Sequence, residues 1–66
     1  MHIFLNGEDK SLDSPLTVAQ LLVQLGLTER PVAVEINQEI VPRSRHAEHR
    51  LQERDRVEVV MAIGGG

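Results

Sequence analysis

The chain has no cysteine, tryptophan or tyrosine, and its one aromatic side chain is Phe4. Without cysteine, disulfides and thiolate–zinc sites are excluded, and a reducing compartment is a suitable setting. With a single aromatic ring, the core has to be assembled from aliphatic side chains. Excess positive charge is missing too. The formal net charge is −3, which argues against nucleic acid as the main partner, because phosphates need cations to neutralise them. No apolar run approaches the ~20 residues that cross a bilayer. Met1 to Asn6 lacks the basic start of a signal peptide. The expected location is the cytoplasm, away from membranes.

What is present suffices for one small domain. A chain of 66 residues buries roughly 60% of its unfolded surface, so its core is thin. Hydrophobic residues form 41% of the chain, enough for a folded domain and too many for a disordered one.

The patterning predicts a hairpin, a helix and then more strands. His2 to Leu5 is β-prone and is followed by Asn6-Gly7, two residues that tolerate positive φ in a tight turn. Lys10 to Asp13 is the expected return strand. Thr17 and Gln20 have capping-box spacing, and Leu16 and Leu21 that of a hydrophobic staple. Val18, Leu21, Leu22 and Leu25 repeat at i, i+3, i+4 and i+7, giving one apolar stripe. Gly26 supplies the left-handed residue that ends such a helix. Val32, Val34 and Ile36 alternate with Ala33 and Glu35, as in a half-buried strand. Asn37-Gln38 is a turn candidate, and Glu39-Ile40-Val41 a short partner strand stopped by Pro42. Ser44 to Asp55 reads as polar and irregular, anchored by Leu51. Arg56 to Met61 is the last strand, with Val57, Val59 and Met61 on one face and Arg56, Glu58 and Val60 on the other.

A single helix covers one face of a sheet and leaves the other largely solvated. If the helix is the crossover between strands, the first and last strands pair in parallel at the centre. The expected fold is therefore α+β, a β-grasp with a mixed sheet of four to five strands and one main helix on one face. Its expected core is Ile3, Leu5, Val18, Leu21, Leu22, Leu25, Val34, Ile36, Leu51, Val57 and Val59. Phe4 and Val60 then point to the opposite face, where they are expected to lie close together as an apolar docking patch. Isolated surface hydrophobes are the plainer reading.

Catalytic chemistry is not visible. Ser11, Ser14 and Ser44 have no neighbouring base, and no carboxylate pair sits where burial would raise a pKa. His46 and His49 read as exposed loop histidines, because zinc would need further ligands. A concave pocket of ~300 Å³ or more is not expected in so small a domain. The chain is therefore read as not itself an enzyme, with no metal and no bound cofactor. Arg43, Arg45, Arg50, Arg54 and Arg56 stand among Glu48, Glu53 and Asp55. That is either an ordinary mixed-charge surface or a docking patch for an acidic partner.

The remaining feature is Ala62-Ile63-Gly64-Gly65-Gly66. The expected division is a domain over residues 1–63 and a mobile tail over 64–66, since glycines have no side chain to pack. Three extended residues reach about 10 Å. Such a backbone enters channels too narrow for side chains, and a glycine carboxyl cannot racemise on activation. A frayed terminus is the alternative.

Taken together, Val34 to Arg43, Asp55 to Val60 and Ala62 to Gly66 resemble the ThiS family, the ubiquitin-like sulfur carriers of thiamine biosynthesis. The resemblance covers almost the whole chain and implies the β-grasp fold. It implies further that a ThiF-type adenylyltransferase uses ATP to adenylate Gly66. Sulfur from a cysteine desulfurase-derived persulfide then gives a thiocarboxylate, and ThiG-type thiazole synthase takes up that sulfur. Ile63, Gly64 and Gly65 would thread into the partner's active site. A molybdopterin-type sulfur carrier shares fold and tail, but the Asn37 to Arg43 stretch speaks against it. A plain β-grasp binding module would not need Gly66. The family often places glycine where this chain has Arg54, so a positive φ there would strain or reshape the turn.

Overall fold

Asn6 and Gly7 adopt φ of 50° and 83°, the paired left-handed conformations of a two-residue hairpin turn. The computed structural model, which describes residues 1–62, places strand β1 at His2–Leu5 and β2 at Glu8–Ser11. Leu5 pairs with Glu8. The return strand thus starts directly after Gly7, not at Lys10, because a two-residue turn leaves no linking residues. Leu12 then drops beneath the sheet, its N–H donating to the Met1 carbonyl at 2.7 Å.

Helix α1 spans Val18–Gln24. Its start is the expected capping box: Gln20 N–H donates to Thr17 Oγ1 at 3.2 Å, and Thr17 N–H donates to Gln20 Oε1 at 2.9 Å. Its end is a Schellman motif. Gly26 takes φ 73°, Leu27 N–H reaches the Leu22 carbonyl, and Gly26 N–H reaches that of Val23.

Strand β3 is Val32–Ile36, β4 is Glu39–Val41 and β5 is Arg56–Met61. Between β4 and β5 lies a short 3-10 helix, Arg43–Arg45, inside the stretch expected to be irregular. The five strands run in the order β2-β1-β5-β3-β4. β1 and β5 are parallel at the centre, and every other pairing is antiparallel. This is the β-grasp arrangement. The sequence segments at Ile63 and the tail Gly64–Gly66 lie outside the described residues.

Ile3, Val18, Leu21, Val34 and Val57 are fully buried, with Leu22, Ile36, Leu51 and Val59 around them. Leu12 and Val41 join this core unexpectedly, while Leu5 and Leu25 are only half-buried at its margin. Both differences follow from where elements end. Leu12 lies one residue past β2 and Val41 is the last residue of β4, positions for which strand alternation gives little guidance.

Candidate functional site

Two features of the fold bear on function: the sheet face away from α1, and the end of β5, which leads toward Gly66. Ile3, Val57 and Val59 turn inward, so alternation sends Phe4, Glu58 and Val60 outward. Phe4 is 39% exposed and Val60 54%. They share the outer face but do not adjoin. Phe4 pairs with Arg56 across the parallel central strands, and Val60 lies four residues further along β5, about 13 Å away at ~3.3 Å per residue. Ala33 is the cross-strand partner of Val60. The single apolar patch expected from alternation is therefore two spots on one face, with Arg56 and Glu58 beside Phe4. A recess of about 290 Å³ opens there, lined by Phe4, Gly7, Arg56, Val57 and Glu58.

The start of β5 is fixed by a polar cluster that the sequence did not announce. Asp55 is buried. Its Oδ2 accepts from Gln52 N–H at 2.8 Å and its Oδ1 from Asn37 Nδ2 at 3.1 Å. Asn37 Oδ1 in turn accepts from Arg56 N–H at 3.0 Å. Arg54, just before, has φ 68°, so the position where the family often has glycine does take the left-handed conformation. Its N–H donates to the His2 carbonyl at 2.6 Å.

His46 is not an exposed loop histidine. It is buried, with Nε2 3.0 Å from the Val41 carbonyl. Since a carbonyl only accepts, Nε2 carries the proton. The His46 carbonyl accepts from Ala19 N–H, and that of His49 from Val18 N–H, both at 2.9 Å. These residues tie the connecting segment to the first turn of α1, whose N–H groups have no partner within the helix. His49 is half-buried. Among the described residues, no three His, Asp or Glu side chains are grouped to hold a metal.

Arg43, Arg45, Arg50, Arg54 and Arg56 are all exposed. Arg45 and Arg50, with Glu48 and His49, border a wide, open groove of about 770 Å³ beside β4. No pocket of that size was expected. It is lined on one side by the β3–β4 hairpin and on the other by the 42–55 segment. Among the described residues, no helix is long and apolar enough to cross a membrane.

The fold and the direction of β5 define a ubiquitin-like β-grasp domain. The model of the ThiS family matches residues 3–66, and the chain belongs to that family. The sulfur carrier protein ThiS of Escherichia coli is 36% identical over 66 residues, covering 100% of both chains. The crystal structure of thiamine biosynthesis protein ThiS from Geobacter metallireducens superposes with a TM-score of 0.86 at 30% identity, covering 100% of both. A thiazole synthase of Paramagnetospirillum magneticum is 44% identical over all 66 residues, which make up 20% of that protein. The chain therefore spans about a fifth of the thiazole synthases it matches.

Proposed function

We propose that this chain is a sulfur carrier of thiamine biosynthesis and that the Gly66 carboxyl is the atom group it carries sulfur on. The observation that supports this best is the full-length match to a protein named sulfur carrier protein ThiS, together with a family match that runs through Gly66. The chemistry suits a terminal glycine. A carboxylate is a poor electrophile. Its oxygen attacks the α-phosphorus of ATP on a ThiF-type adenylyltransferase, and pyrophosphate leaves. Persulfide sulfur, derived from cysteine by a desulfurase, then attacks the acyl carbon and AMP leaves. After the persulfide S–S bond is cleaved reductively by a thiol, a thiocarboxylate remains. The catalytic groups and the ATP site belong to the partners; this chain supplies the acyl end and a domain to hold it by.

Thiazole synthase of the ThiG type is the proposed acceptor. Relatives bearing that name contain a stretch matching this whole chain, as expected if carrier and acceptor work side by side. Phe4 and Val60 are the proposed docking residues, with Ile63, Gly64 and Gly65 threading into the partner's active site.

Mass spectrometry of the intact protein tests the terminus. After incubation with the adenylyltransferase, ATP and a sulfur donor, the chain should gain the mass of one oxygen-to-sulfur exchange. Deleting Gly66, or adding one alanine after it, should leave circular dichroism unchanged and abolish the gain. Equal loading of the extended chain would refute the assignment of Gly66.

A further inference from the structure

Strand β1 stops at Leu5, but β5 continues to Met61. Along the parallel seam, Phe4 N–H donates to the Asp55 carbonyl at 2.9 Å and Asn6 N–H to that of Val57 at 2.8 Å. The next rung has no β1 residue to make it, because the chain turns back at Asn6-Gly7. The side chain of Asn6 makes it instead. Its Oδ1 accepts from Val59 N–H at 2.9 Å, and its Nδ2 donates to the Val59 carbonyl at 3.3 Å. A carboxamide offers the same acceptor and donor as a backbone amide, so one side chain stands in for one residue of strand. On the other edge of β5, Ala62 N–H donates to the Pro31 carbonyl at 2.6 Å.

We infer that Asn6 is a positioning residue for delivery of Gly66: together with β3, which pairs the other edge of β5 as far as Met61, its carboxamide holds the outgoing half of β5 in the sheet and so keeps short the length of chain free to reach a partner. This rests on the sulfur-carrier reading. With the strand held through Ala62, four residues remain to Gly66, a reach of at most about 14 Å. Without the carboxamide this half is held by β3 alone and its end opens more often. Each opening of Val60 to Ala62 adds three more residues, about 10 Å, and removes the direction given by the sheet. A longer, undirected tether lowers the effective concentration of its end at a fixed target, roughly as the −3/2 power of length or more steeply. Docking through Phe4, which stands on β1, is untouched by that change. Loss of the carboxamide should therefore act on turnover and not on encounter.

The turn makes a clean test available. Asn6 has φ 50°, which glycine adopts without strain, so Asn6→Gly keeps the hairpin and removes only the clamp. Asn37→Gly is the matched control. Asn37 also sits at positive φ, 53°, and also bonds β5 through its carboxamide, but at Arg56, the strand's start. With the adenylyltransferase and ATP, pyrophosphate release by the wild-type chain is measured first; failure there refutes the carrier reading itself and this inference with it. If the wild type is active, Asn6→Gly should lower kcat about threefold or more with KM within twofold. Its Val59 amide should exchange with solvent at least tenfold faster. Asn37→Gly should leave kcat unchanged, and Asn6→Asp, which keeps the acceptor for Val59 N–H, should recover part of the loss. Unchanged kcat in Asn6→Gly, or an equal fall in Asn37→Gly, overturns the inference.

Discussion

Arg54 holds a left-handed backbone at φ 68° with its side chain in solvent. For a residue with a Cβ that conformation costs roughly 1–2 kcal/mol, and glycine avoids the cost while losing some entropy on folding. Arg54→Gly should therefore raise the free energy of unfolding by about 0.5–1 kcal/mol. In urea the midpoint should move up with the slope unchanged; a lower midpoint would mean that the arginine side chain contributes more than the strain removes. This strain was legible because one expected glycine was missing from a known pattern. His46 was not legible. Its neighbours Arg45, Ala47 and Glu48 are exposed, so nothing local marks it as buried. What draws it inward is the Val41 carbonyl and the first turn of α1, both distant in the pattern being read.

At the scale of elements, signals confined to a few adjacent residues translated directly. The capping box, the glycine stop and the Asn-Gly turn all act within one turn of chain, and all three formed. Strand ends and cross-strand partners did not translate, because they depend on residues far apart in sequence. One such pairing is unfavourable. Glu35 and Glu58 face each other directly across β3 and β5, and like charges so placed repel. Glu58→Gln removes the repulsion at nearly constant size and should stabilise the domain by about 0.2–1 kcal/mol at low salt. At ~1 M salt, where the screening length is ~3 Å, the gain should shrink markedly. Glu39→Gln, which changes net charge equally but stands opposite Ile36, should show a smaller gain. Thermal melts at two salt concentrations distinguish the cases; a gain unaffected by salt would rule out facing charges as its source.

Over the whole molecule, α1 closes one sheet face and leaves the other open, so a domain with one phenylalanine places that ring outside its own core. The alternation of Ile3, Phe4 and Leu5 revealed the side on which Phe4 stands. It did not reveal the distance from Phe4 to Val60, which is set by the register of two strands at opposite ends of the chain. That register yields a sharper expectation than a single patch would. Aromatic side chains at interface centres often contribute more than ~1–2 kcal/mol on truncation. If the proposed docking holds, Phe4→Ala and Val60→Ala should each weaken binding to the proposed partners, the adenylyltransferase and thiazole synthase, Phe4→Ala by about tenfold or more. Thermal midpoints should change little, since both side chains are substantially exposed. Sites more than about 7–10 Å apart act independently, so the double variant should lose the sum of the two single losses within ~0.5 kcal/mol. Calorimetric titration of the two single variants and the double one measures this. A large fall in the stability of Phe4→Ala with unchanged binding would remove the outer face as the docking surface. Strong non-additivity would instead mean that one continuous partner element spans both spots and that Arg56 and Glu58 lie beneath it.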